Sequence, residues 1–201
     1  MQWRAETFQD RAFSSEELRG ASLQDCRFER CDFTDTSWSE TAVSGCTFAG
    51  CKFWGADLNG LSAEGCSFLG CDFRGATALL HGVLRDCRLT GSSFGEAKIP
   101  GLEIDGGDWS LTSLRGLDLR RRKLAGVRLR EADLSLSNLE RADLRKADLR
   151  QAVLAGARLR GADLRGANLE GVDLSHLDLT GVKLDLDGAV ALARALGAIL
   201  D

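Results

Sequence analysis

Seven cysteines, two histidines and thirty acidic residues are the groups of this 201-residue chain that could do chemistry. Their spacing argues against most of it. Cys26, Cys46 and Cys66 are twenty residues apart, as are Cys31, Cys51 and Cys71, and Cys87 follows Cys66 by twenty-one. Zinc sites want tight local pairs that converge on one point, so two long ladders read as buried thiols acting as small hydrophobes. No metal and no cofactor is expected. An odd cysteine count without a signal peptide also argues against a disulfide framework. His81 and His176 are far apart and belong to different faces, which removes a histidine metal or base site. The recurring Gly-Ala-Asp-Leu lacks the strand–loop–helix context of a phosphate loop. Paired carboxylates need a pocket for acid–base work, and nothing in the pattern provides one. The chain is therefore expected not to be an enzyme. Two surface signals remain. The run Arg120-Arg121-Arg122-Lys123 is either a phosphate contact or a solvated basic corner. Trp54 is either a partner anchor or a chance exposure.

The elements that position these groups follow from a period of five, which is neither helical nor that of a strand. An apolar residue recurs every fifth position (called i here), from Leu18 through Phe28, Phe33, Trp38, Phe48, Phe53, Phe68 and Phe73, then from Leu79 onward to Leu184. The six-residue step between Phe73 and Leu79 places one inserted residue near 75–78. Position i−2 is small or thiol, and all seven cysteines sit there. Two inward and three outward positions per repeat describe a filled shaft with a polar exterior. Arg122 falls at i−2, so that corner either bulges or loses register. Irregularity is also expected around Pro100 to Gly107, because proline cannot donate to a ladder.

The pattern resembles the pentapeptide-repeat family. The resemblance implies an all-β fold, a right-handed quadrilateral parallel β-helix with one pentapeptide per side and twenty residues per coil. Stacked like neighbouring strands about 4.8 Å apart, the repeats would make a rod on the order of 40 Å long. Expected boundaries are an N-terminal cap over 1–17, a first β-helix segment over 18–75, a second over 76–186 after the slip, and a helix with tail over 187–201. In the last segment Asp187 is the expected N-cap and Gly197 the terminator. Val190, Leu192, Leu196, Ile199 and Leu200 leave apolar surface that partly covers the rod end and partly suggests a dimer interface.

Leu179-Thr-Gly-Val-Lys-Leu-Asp185, the Ala/Leu helix after it and Leu196-Gly-Ala-Ile-Leu200 are similar to the C-terminus of the Qnr-type quinolone-resistance proteins and their relatives MfpA and AlbG. The Cys/Phe-rich early coils, the slip after Cys71-Asp-Phe-Arg-Gly-Ala76 and Trp109 match that group as well. The resemblance implies a C-terminal homodimer that imitates duplex DNA, binds DNA gyrase or another type II topoisomerase, and protects it from poisons. That would confer antibiotic resistance or self-immunity. Several Qnr proteins carry projecting loops, whereas no insertion here exceeds one residue. The alternative of another class is a protein-interaction scaffold with no gyrase role.

Charge bears on the mimicry. Residues 1–100 hold ten basic and fourteen acidic residues, and the remainder sixteen of each, for a net of −4. This disfavours direct nucleic-acid or membrane binding, which need a basic excess. The side through Phe33, Phe53 and Phe73 carries Asp32, Asp35, Asp72, Glu96, Asp133 and Asp173 against Lys52, Arg74 and Arg115. These six are the candidate gyrase-binding acids, although an acidic solenoid face also serves plain solvation. No apolar run spans a bilayer and the start has no apolar leader, so a cytoplasmic location is expected.

Overall fold

A computed structural model describes residues 1–78 and 80–199. Every coil has four short sides, and each side stacks in parallel on the one twenty residues before it. On the first side, β1 (Gln2–Arg4), β3 (Ser22–Gln24), β5 (Ala42–Ser44), β7 (Ser62–Glu64), β9 (Gly82–Arg85) and β10 (Leu102–Asp105) form a six-stranded sheet. On the second, β2 (Thr7–Gln9), β4 (Arg27–Glu29), β6 (Thr47–Ala49) and β8 (Ser67–Leu69) form a four-stranded one. The third and fourth sides are held by single bridges, such as Asp32↔Lys52↔Asp72 and Ser37↔Asp57↔Thr77. Bridges alone continue the ladder as far as Asp163↔Lys183. From Gln2 to Lys183 the chain makes about nine coils, each contributing a rise of about 4.8 Å. This is the expected quadrilateral parallel β-helix.

Coiling begins sixteen residues before the expected boundary. Trp3 pairs with Leu23 and Phe8 with Phe28, so residues 1–17 are the first coil and not a separate cap. Its fourth side is replaced by a single helical turn, α1 (Ser15–Leu18), where the Ser15 hydroxyl accepts the Ser37 N–H at 2.9 Å. Trp3, Phe8 and Phe13 already follow the five-residue step back from Leu18.

The inserted residue also lies later than 75–78. Thr77 bridges Asp57, twenty residues before, and Lys98, twenty-one after, while Val83 pairs with Ser62. The extra residue therefore falls between Ala78 and Val83. Ala78, fully buried, is the shaft residue of that corner. Leu79, expected in that role, lies outside the described residues, and Leu80 is exposed.

The shaft is filled as the period demands. Phe28, Phe48 and Phe68 stack face to face at 4.7 and 4.8 Å, within 4° of parallel. Phe53, Phe73 and Phe94 do so at 4.6 Å. Ring spacing equals coil rise, so each ring covers the one below without strain in the backbone. In later coils Leu replaces Phe at i and Ala replaces Cys at i−2. All seven thiols are free and buried, and burial pushes the Cys46 thiol up to about 12. The indole N–H of Trp38 donates to Thr36 at 3.1 Å, whereas that of Trp109 has no partner among the described residues.

Arg122 neither bulges nor shifts the register. Its guanidinium turns back onto the preceding coil and donates to the carbonyls of Leu102 and Ile99, both at 2.8 Å, and to Pro100. Burial lowers its pKa. It adds side-chain donors to the carbonyls around Pro100, of which Ile99 already accepts the Leu102 N–H at 3.1 Å. The expected irregularity narrows to Gly106-Gly107, since Leu102–Asp105 is a regular strand. Gly107 has φ +92°, and a Cβ there would lie 2.2 Å from the Cys87 carbonyl oxygen.

The rod ends in α2 (Leu186–Ala195). Its N-cap is Asp185, not Asp187: the Asp185 carboxylate accepts from Gly188 N–H at 2.9 Å and also from Gly166 N–H in the coil below. Asp187 lies in the first turn, where its charge suits the helix dipole. Gly197 ends the helix at φ +84°, as expected.

Candidate functional site

The outward acids have a first duty that is local. In the repeat, Asp or Asn at i−1 accepts the backbone N–H two residues on, closing an Asx turn. Asp32 does so with Thr34 at 2.9 Å, Asp133 with Ser135 at 2.9 Å and Asp173 with Ser175 at 2.9 Å. Where that later residue is arginine, the carboxylate also takes its guanidinium, as in Asp72–Arg74 at 2.7 Å, and likewise in Asp143–Arg145 and Asp163–Arg165. The hydrogen bond from Arg74 holds the Asp72 carboxyl below its usual range. Hydrogen bonds from Thr34 do this for Asp32, and those from Ser175 for Asp173. Asp163 is drawn down to about 2 by its bond from Arg165.

The six candidate acids form a line, not a cluster. Asp32, Asp72 and Asp133 share one bridge column on the third side, with Lys52 between the first two and Ser93 and Ser113 between the last two. Lys52 reaches Asp32 at 3.7 Å. Asp35 and Glu96 stand on the corner that closes this side, both with positive φ. Asp173 belongs to the last coils. Two of the six, Asp32 and Asp72, thus have cationic partners; among the described residues Asp35, Glu96, Asp133 and Asp173 have none within ion-pair distance. Sequence reasoning missed the apolar company of this face. Leu136 and Val153 are about half exposed there, beside Trp54, the one member the sequence had singled out, and Leu111 is equally exposed on the preceding corner. Leucine at i+2 or valine at i−1, both outward positions, was the available signal.

At the tail, Ala191 and Leu192 pack against the core and seal the last coil. Val190 is half-buried beside them. Leu186, Leu196 and Ile199 are exposed by 79%, 64% and 91%, apolar side chains left largely uncovered among the described residues. Leu200 lies outside the described residues. No helix among the described residues is long and apolar enough to cross a membrane.

These coils define a class of fold, the pentapeptide-repeat solenoid. The profile described as pentapeptide repeats, in eight copies, matches residues 112–151 and 147–185. A second profile, the SV2A/B/C luminal domain, matches residues 2–73. Within that class the architecture is Qnr-like. A trypsin-treated QnrB1, described as a plasmid-mediated fluoroquinolone resistance protein, superposes with a TM-score of 0.88 at 25% identity, over 100% of both chains. Full-length QnrB1 gives 0.63 at 25% identity, covering 98% of this chain and 100% of its own. HetL, a pentapeptide-repeat protein involved in heterocyst differentiation regulation in the cyanobacterium Nostoc sp. strain PCC 7120, shares the fold at 0.52 and 24% identity, covering 93% of this chain and 89% of its own. No curated protein matches the chain in sequence.

Proposed function

We propose that this rod is a non-enzymatic mimic of duplex DNA that binds DNA gyrase, or a related type II topoisomerase, and shields it from poisons. The observation that carries the reading is the end-to-end superposition on a fluoroquinolone resistance protein, cap helix included. On this reading it acts in the cytoplasm as a homodimer joined through Leu186, Leu196 and Ile199, whose exposure a second copy would relieve. The partner meets the third side. Because turn formation and ion pairing occupy Asp32 and Asp72, the effective charges are Asp35, Glu96, Asp133 and Asp173, with Leu136 and Val153 adding apolar contact.

Supercoiling by purified gyrase, with and without a quinolone or an albicidin-type poison, tests this. The protein should inhibit supercoiling or restore it in the presence of a poison. Reversing Glu96, Asp133 and Asp173 to lysine should weaken the effect and make it less salt-sensitive. No effect on gyrase with any poison at micromolar protein rejects the proposal. The local neutralisation of acids along the rod favours one second reading, a scaffold for a different protein. A monomer in solution with no gyrase effect would establish that reading instead.

A further inference from the structure

A local pairing rule holds many arginines of this chain; Arg4, Arg19, Arg88, Arg115 and Arg194 stand outside it at scattered places, and four more gather along one edge. Arg74, Arg145, Arg150 and Arg165 each grip the aspartate of their own turn, and Arg30, Arg85 and Arg128 reach an aspartate in the adjacent coil. Along the edge between the fourth and first sides, the rule fails four times. Arg158 occupies the place of the turn acid, bridged to Asn138 in the coil before, so Arg160 has no carboxylate in its own turn. Arg121 and Arg141 stand one coil apart on the corner, at φ +58° and +57°, a conformation that glycine takes without steric cost. Among the described residues none of these four has a carboxylate within ion-pair distance.

Three of the four, Arg121, Arg141 and Arg160, converge on a groove of about 1030 Å³ that runs from Pro100 to Thr180 and Gly181. Arg120, Arg121, Arg122, Arg141 and Arg160 line it against only two acids, Asp118 and Glu140. Asp118 is held by Arg120 at 2.6 Å, and Arg122 is spent on backbone carbonyls. Asp178, near Arg160, is engaged by Thr180. Above the two corner arginines the column continues as Gly161 and Gly181, which leave a shelf free of side chains. Left-handed corners carry non-glycine residues at many turns of the rod, so it is the gathering of unpaired guanidinium groups at one place, not backbone strain, that marks this groove.

We propose that this groove binds a short linear phosphate-bearing anion, the size of an oligophosphate or a nucleoside triphosphate, through Arg121, Arg141 and Arg160. Guanidinium groups match phosphate in a planar, bidentate way that suits several linked phosphates better than one carboxylate. Pro100 at one end and Thr180 at the other bound the ligand, and Glu140, which has no cation within ion-pair distance among the described residues, would disfavour a longer anionic backbone. The inference is independent of gyrase binding, which was placed on the third side.

Calorimetric titration of the full chain with sodium tripolyphosphate, and separately with adenosine triphosphate, tests it. Saturable binding to one site is expected, weakening between about 50 and 200 mM salt. The double variant Arg141→Gln/Arg160→Gln should lose about tenfold or more in affinity, while Arg145→Gln/Arg165→Gln, altered at paired positions, should bind as the parent does. Binding of tripolyphosphate alone would assign an inorganic ligand, and tighter binding of the nucleotide an organic one; both support the groove. Absence of binding by either probe at millimolar concentration overturns the proposal. So does equal loss in both variants with an unchanged melting curve, or tighter binding of a single-stranded oligonucleotide than of either probe.

Discussion

Replacing Phe48 with alanine should remove about 3–5 kcal/mol of stability, toward the upper end of that range. The ring is fully buried and lies between Phe28 and Phe68 at 4.7 and 4.8 Å. It also meets Phe53, Phe33 and Trp38 edge-on at 5.6, 5.9 and 6.0 Å. The cavity cannot collapse, because the flanking coils are fixed by ladder bonds such as Thr47 N–H to Cys26 and Ser67 N–H to Cys46, at 2.9 and 2.8 Å. Phe48→Leu keeps most of the volume and loses mainly ring stacking, at about 0.5–1.5 kcal/mol for each of the two stacked pairs. Since a domain of this size has about 5–15 kcal/mol in total, the alanine variant should remain folded but shift strongly in urea. Each coil is supported only by its neighbours, so the hole should also uncouple the coils on either side and lower the apparent m-value. Equilibrium urea unfolding followed by circular dichroism and by tryptophan fluorescence, with Trp38 beside the hole, reads both effects. A loss under about 1.5 kcal/mol for alanine, or a leucine variant as damaged as the alanine one, would refute the stacked-shaft account.

Four further outcomes follow from the same structure. Gly107→Ala should cost about 2 kcal/mol or more, because left-handed strain adds to a Cβ placed 2.2 Å from the Cys87 carbonyl; Gly20→Ala, with open space around it, should cost less, and thermal melts compare them. Arg122→Ala should destabilise by about 1–3 kcal/mol through the carbonyls it abandons, whereas Arg121→Ala leaves the melting temperature nearly unchanged. The turn carboxylates Asp32, Asp72, Asp118, Asp143, Asp148 and Asp163 have lowered folded-state pKa values, so their contribution is complete above the unfolded value of 3.8. It should drain away as pH falls toward about 2, the folded value of Asp163, so acid titration by circular dichroism should show stability falling below about pH 4. Ellman's reagent should find no reactive thiol in the native protein and seven in denaturant, since every cysteine is buried.

The shaft was legible because its code is redundant. The Cys and Phe ladders repeat at twenty, and a single slip shifts both by one, so coil length and insertion were readable without coordinates. What was misread lay where the code thins. Trp3, Phe8 and Phe13 keep the period, but Met1, Glu6 and Arg11 two places before them break the small-residue pattern and hid the first coil. Ala78 and Leu79 both suit a shaft position, and only the bridge partners of Thr77 decide between them. Asp185 and Asp187 both suit an N-cap, and the choice rests on the Gly166 N–H in the coil below, a contact nineteen residues distant in sequence. The acidic face was legible as residues but not as charge, because the grip of Arg74 on Asp72 depends on the geometry of the turn.

That turn separates shape from electrostatics. The carboxylate at i−1 is retained by every turn that needs its oxygen, whatever the surroundings. The residue two places later does not touch the shaft, and together with any cation in the adjacent coil it decides whether that negative charge is displayed or cancelled. Arg74 silences Asp72 while Ser135 leaves Asp133 bare, on the same side of the same rod. A lineage could therefore repaint the potential of the surface one exposed position at a time, and acquire a new client, without ever risking the scaffold.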